Sequence, residues 1–201
     1  ATSSSGNIVN VTLDNTIPSI SLSSAINNGT LTCLTTSISV TPTVTPSSNL
    51  SYSWSPSTGI SSPTNQASAT FTASGVYTLA VTNTLTGCVT SSTASANSFT
   101  VIANNTPPTF VLGTAPSVTA TCAVPSVNLS GSSNADPNSV YTWTTPSSST
   151  INGNPISVSS PGIYTVAVTN TINGCSSAAV SQNTVEVIAD AGRSEEHTSE
   201  L

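Results

Sequence analysis

Gly75-Val76-Tyr77-Thr78-Leu79-Ala80-Val81-Thr82-Asn83 sets large apolar side chains at odd positions and small or hydroxylated ones at even positions from Tyr77 to Thr82. A period of two is the pattern of a strand with one face against a core. The stretch recurs as Gly162-Ile163-Tyr164-Thr165-Val166-Ala167-Val168-Thr169-Asn170, and each copy runs on into Gly-Cys, at Gly87-Cys88 and Gly174-Cys175. Upstream of each lies a second matching block, Tyr52-Ser53-Trp54 and Tyr141-Thr142-Trp143. Cys33 precedes Trp54 by 21 residues, and Cys122 precedes Trp143 by the same 21. The copies are offset by 89 residues at the tryptophans and 87 at the second cysteines, so one loop differs by two residues. A period this long is a whole domain repeated, not a solenoid turn.

Shorter alternating runs fill in the remaining strands. Ile38/Val40 and Val127/Leu129 follow the first cysteines, Ala69/Phe71 and Ile156/Val158 precede the glycine of the long strand, and Phe99/Val101 and Val185/Val187 close each copy. Val and Thr suit a half-buried pleated surface, and no stretch carries helical spacing. Short strands punctuated by Pro, Gly and Asn predict an all-β fold of tandem immunoglobulin-like β-sandwiches. The expected organisation is a first sandwich over 19–103, a linker over 104–108, and a second sandwich over 107–190. Pro107-Pro108 stiffens that linker. Residues 1–18 read as the last strand of a preceding repeat plus its linker, because Asn7-Ile8-Val9-Asn10-Val11-Thr12 parallels Asn97-Ser98-Phe99-Thr100-Val101-Ile102. Residues 191–201 read as an artefactual, disordered tail: Arg193 to Leu201 holds the only Arg, the only His and three of the seven acids, and resembles a translated sequencing adapter.

Before that tail the chain carries Asp14, Asp136, Glu186 and Asp190 and no Lys or Arg. Nucleic acids and anionic membrane surfaces are held by clustered cations, so neither is an expected partner. No apolar run is long enough for a membrane span. General acid/base chemistry needs titratable groups at short range, and Ser or Thr need an activating base to act as nucleophiles. The sequence supplies neither, so no catalytic residue, cofactor or metal site is assigned and the chain reads as a non-enzyme.

The four cysteines allow three pairings. If each repeat folds separately, the expected bridges are Cys33–Cys88 and Cys122–Cys175, closing loops of 55 and 53 residues. Loops of that size contribute ~4 kcal/mol in the chain-entropy model. Bridges of this kind belong to an oxidising, extracellular setting. Trp54, Tyr77, Trp143 and Tyr164 read as core aromatics; the competing reading makes the tryptophans sugar-stacking platforms.

The order Tyr-x-Trp-(Ser/Thr)-x-Pro, then Gly-x-Tyr-Thr-x-x-Val-Thr-Asn, then Gly-Cys resembles the Ig-like and PKD-like repeats of large secreted surface proteins of Bacteroidetes-type bacteria, over residues 19 to 190. The resemblance implies a structural or adhesive stalk module at the cell surface. Its partners would be neighbouring repeats of the same chain, and surface glycans or other cell-surface proteins. Two other functions fit the residues: a carbohydrate-binding module of a secreted enzyme, and a filament subunit whose N-terminal strand completes a neighbour's sheet.

Overall fold

A computed structural model describes residues 10–22, 29–90, 97–177 and 183–190. Every named element in it is a strand. The chain divides into two units: Ala1–Leu31 with Thr35–Ala103, and Thr32–Leu34 with Asn104–Leu201. Three residues, Thr32 to Leu34, therefore belong with the second unit although the chain on both sides of them belongs to the first.

Unit 1 contains β1 (Ser19–Ser21), β2 (Thr30–Leu31), β3 (Ile38–Val40), β4 (Thr43–Thr45), β5 (Leu50–Ser55), β6 (Ala69–Phe71), β7 (Gly75–Asn83) and β8 (Ser98–Ala103). One sheet runs β2-β8-β7-β5, with β2 parallel to β8 and the other pairs antiparallel. Two short antiparallel pairs, β1–β4 and β3–β6, form the second layer. The alternation in Tyr77, Leu79 and Val81 places all three against the core, where they meet Ile38, Val40 and Phe71 from the second layer. Phe71 is the hub, with ring centroids 5.4 Å from Trp54, 4.3 Å from Tyr77 and 5.5 Å from Phe99.

Unit 2 contains β9 (Phe110–Leu112), β10 (Ser117–Ala120), β11 (Val127–Leu129), β12 (Gly131–Ser133), β13 (Ser139–Thr144), β14 (Thr150–Asn152), β15 (Ile156–Val158), β16 (Gly162–Asn170) and β17 (Thr184–Ala189). Its main sheet runs β10-β17-β16-β13-β14, again with the first pair parallel. β11–β15 and β12–β9 make the other layer. Val158 and Val185 stand where unit 1 has Phe71 and Phe99, so this core has fewer phenyl rings, and Tyr141 and Tyr164 are buried in it with Trp143. Two packed layers with a long central hairpin, closed by a parallel edge pair, give each unit the immunoglobulin-like sandwich.

The two-residue difference between copies falls between the tryptophan and the glycine of the long strand. Its structural consequence is local. In unit 2 that segment pairs back onto the tryptophan strand, with Trp143 opposite Ile151. In unit 1 Ile60 instead bridges to Phe71 of β6.

Residues 7–9 of the expected N-terminal strand lie outside the described residues, and Asn10 to Thr12 are not in a strand; the first described strand begins at Ser19. The expected tail, 191–201, also lies outside them.

Candidate functional site

Trp54 and Trp143 sit on β5 and β13, opposite Leu79 and Val166 of the long strands. They are 2% and 0% exposed. Each indole N–H, which burial would otherwise leave unpaired, donates to backbone carbonyls across the layer. Trp54 Nε1 reaches Gln66 O at 3.1 Å and Ala67 O at 3.2 Å, and Trp143 Nε1 reaches Gly153 O at 3.1 Å. Tyr77 and Tyr164 are buried beside them, and their hydroxyls donate to Ala73 O and Ser160 O, both at 2.9 Å. With no tryptophan face open to solvent, neither indole can serve as a sugar platform in this fold.

The Gly-Cys turns are built the same way in both units. Asn83 and Asn170 end the long strands; their side-chain oxygens accept from Leu85 N at 3.0 Å and Ile172 N at 2.9 Å. Gly87 N and Gly174 N close the turn on Asn83 O and Asn170 O, both at 2.8 Å. The glycines have φ of 73° and 69°, the left-handed region that a side chain disfavours. After them, Cys88 O and Cys175 O accept from Asn83 N and Asn170 N, both at 2.9 Å. Thr90 and Ser177 then lock the return by bonding Val81 N at 3.0 Å and Val168 N at 2.9 Å through their hydroxyls.

The bridge found in the structure is Cys33–Cys175, and Cys88 and Cys122 are free thiols. This corrects the expected pairs, Cys33–Cys88 and Cys122–Cys175. The reason is register. In unit 1, Leu31 pairs with Ala103, and β8 pairs with β7 so that Val101 lies opposite Gly75. Cys33 therefore leaves the sheet at the Gly75 end, whereas Cys88 follows the hairpin at the Asn83 end, where Val89 bridges Thr82. Nine residues of β7 separate the two ends, roughly 30 Å at ~3.3 Å per residue. Bridged cysteines need Cα atoms within about 7 Å. Unit 2 repeats the geometry: Ala120 pairs with Ala189 near the Gly162 end of β16, while Cys175 sits at the Asn170 end, where Ser176 bridges Thr169.

Within unit 2 the Thr32–Leu34 segment is seated on the turn. Cys33 N donates to Asn173 O at 3.1 Å, and Asn173 Oδ1 accepts from Cys175 N at 2.9 Å. The Asn173 amide also donates to Asn104 Oδ1 at 3.1 Å and Thr106 O at 3.2 Å. Leu34 covers Gly174 so closely that a Cβ built there would collide with Leu34 Cγ, while at Gly87 a Cβ meets nothing within 4 Å. Gly87→Ala is accordingly expected to cost about 1 kcal/mol, the penalty of a left-handed alanine alone. Gly174→Ala should cost about 1–2 kcal/mol, because Leu34, although 79% exposed, must leave its rotamer as well. Urea denaturation of both variants checks the difference.

Nothing in the sequence spacing groups Leu34 with Asn173 and Gly174, because the turn after Asn170 ends the strand's alternation before Cys175 is reached.

Among the described residues no three His, Cys, Asp or Glu side chains come together for a metal ion. Tyr141 and Asp136 form a polar pair at the edge of the unit 2 core: the phenol donates to the two carboxylate oxygens at 3.0 and 2.8 Å. Ser133 N, donating to Asp136 at 2.9 Å, holds that carboxyl below its ordinary range, and the Tyr141 hydroxyl adds to the effect. Burial first, and then the Asp136 carboxylate, push the Tyr141 phenol up to about 12 from 10.0. The folded protein thus keeps this proton to higher pH than the unfolded chain does, and stability falls as pH rises from 10 to about 12. Tyr141→Phe is expected to flatten part of that fall, read from urea midpoints across the same window. Tyr164, raised by burial, contributes in the same direction.

No family model matches the chain, and no curated protein matches it. Solved structures similar to it include fibronectin(III)-like modules of Clostridium thermocellum CbhA, with TM-score 0.39 and 15% identity, covering 91% of this chain and 100% of that one. The IG1+IG2 pair of DIP-gamma has TM-score 0.37 and 12% identity, covering 77% and 88%. The titin z1z2 domains, solved in complex with telethonin, have TM-score 0.29 and 16% identity, covering 89% and 98%. The assignment rests on the sheets themselves: this chain is an all-β protein of immunoglobulin-like sandwiches.

Proposed function

We propose that the chain is a non-catalytic stalk module of a bacterial surface or secreted protein, built to hold spacing under tension. The observation that carries this reading is the position of the Cys33–Cys175 bridge, whose cysteines are 142 residues apart. Tension applied to the two ends of the chain passes from residue 33 through the sulfurs to residue 175 and bypasses everything between. Most of both sandwiches is thereby covalently shielded from extension. Such a bond belongs to an oxidising compartment. Near-absence of charge and two fully internal tryptophans support the reading over a carbohydrate-binding module, whose aromatics must face solvent.

Pulling single molecules by their termini tests it. Oxidised protein is expected to extend without the loop. Reductant should then release an additional length of about 500 Å, from 142 residues at ~3.3–3.6 Å each. The same extension with and without reductant would end the tension-bearing reading, and selective binding on a glycan array would favour the carbohydrate module.

A further inference from the structure

Cys88 and Cys122 are the two cysteines the Cys33–Cys175 bridge leaves over, and each stands in the setting of one of its members. Cys122 is the counterpart of Cys33. Both lie two residues beyond the last rung of the parallel edge pair, Leu31 with Ala103 and Ala120 with Ala189. Cys88 is the counterpart of Cys175, on a turn with the same hydrogen bonds, the same left-handed glycine and the same backbone closure. Its N–H is held by Thr86 Oγ1 at 3.3 Å, where Cys175 N is held by Asn173 Oδ1 at 2.9 Å. Two features mark both as accessible. Cys122 is exposed and Cys88 half-buried, and the Gly87 surface that corresponds to the Leu34-covered face of Gly174 has no atom within 4 Å of a built Cβ.

We propose that Cys122 of one copy and Cys88 of a second copy form a bridge of the Cys33–Cys175 type, joining copies head to tail. The formed bridge supplies the rule: a cysteine two residues beyond a parallel edge pair bonds the cysteine of a Gly-Cys turn. Applied to the two free thiols, the rule gives a heterologous junction, Cys122 to Cys88 and never like to like. Such a junction propagates because each copy carries one half of each kind. Ala123 stands where the formed bridge has Leu34, so the apolar cover over Gly87 is smaller and the covalent bond supplies more of the hold. The proposal does not rest on the stalk function; it rests on the geometry of the formed bridge.

The oxidant is a disulfide, such as glutathione disulfide. The Cys122 thiolate attacks it, forming a mixed disulfide and releasing one glutathione thiolate. The Cys88 thiolate of the second copy then attacks the Cys122 sulfur and releases the other. Two cysteine thiols and one glutathione disulfide thus become one protein disulfide and two glutathione thiols.

The test uses two full-length variants, Cys88→Ser and Cys122→Ser, each incubated in a glutathione redox buffer alone and in equal mixture. Non-reducing electrophoresis and peptide mapping read the products, with the retained Cys33–Cys175 peptide showing that each variant is folded. The expected result is a covalent dimer in the mixture, linked Cys122 to Cys88, and loss of that species in either variant alone. Wild-type protein should give a ladder of oligomers that reductant collapses. Homodimers forming in the single variants as readily as in the mixture, a mixture that stays monomeric, or an internal Cys88–Cys122 link in the wild type would each overturn the proposal. A failure here leaves the pulling experiment on the Cys33–Cys175 loop unaffected, so the two readings fail separately.

Discussion

Replacing Cys33 by serine is expected to lower stability by up to about 5 kcal/mol, the chain-entropy value for a loop of 142 residues. Cys33 is the right partner to change because it lies on an exposed segment, so the substitution removes the bond without opening a cavity. Cys175 is fully buried, and its replacement would mix bond loss with repacking. Cys88→Ser is the control: Cys88 is half-buried and unbridged, so its shift should be no more than about 1 kcal/mol, small beside that of Cys33→Ser. The two variants separate the observed bridge from the intra-repeat one. A Cys33–Cys88 bond would make both equally damaging, whereas the observed bond makes only the first so. Denaturant titration with and without reductant measures this: wild type in reductant should converge on the Cys33→Ser value. Where one unit unfolds while the other stays folded, the freed loop is shorter and the loss is smaller.

Trp143→Ala is expected to cost about 3–5 kcal/mol, the range for deleting a fully buried large aromatic. Its ring lies in the buried cluster of unit 2, and its loss also strands the carbonyl of Gly153. That core has fewer aromatic contacts than unit 1, where Phe71 links Trp54, Tyr77 and Phe99. Trp143 therefore occupies a larger share of the volume it fills, and the neighbouring valines are too short to close the gap. Urea unfolding followed by circular dichroism gives the magnitude. A variant of unchanged stability that loses a glycan ligand would reverse the assignment of this tryptophan from core to platform.

Strand identity was legible because it is a local property. The odd-numbered series Tyr77, Leu79, Val81 and the even-numbered series Tyr164, Val166, Val168 specify which face is buried without reference to anything else in the chain. The internal repeat extended that reading, since what one copy shows by alternation the other shows again in different residues. From these the sequence alone determined an all-β chain of immunoglobulin-like sandwiches, the long central strands, and the residues that line each core.

The partner of each cysteine was decided by tertiary structure alone. Sequence distance made Cys88 the natural partner of Cys33, and separate folding of each repeat made it the economical one. Register overrules both, because antiparallel pairing of β7 with β8 sends the two cysteines to opposite ends of one nine-residue strand. Which end of a sheet a connecting residue occupies depends on strand order and the direction of the parallel edge pair. Both are fixed by long-range pairing, and neither leaves a trace in the spacing between two cysteines.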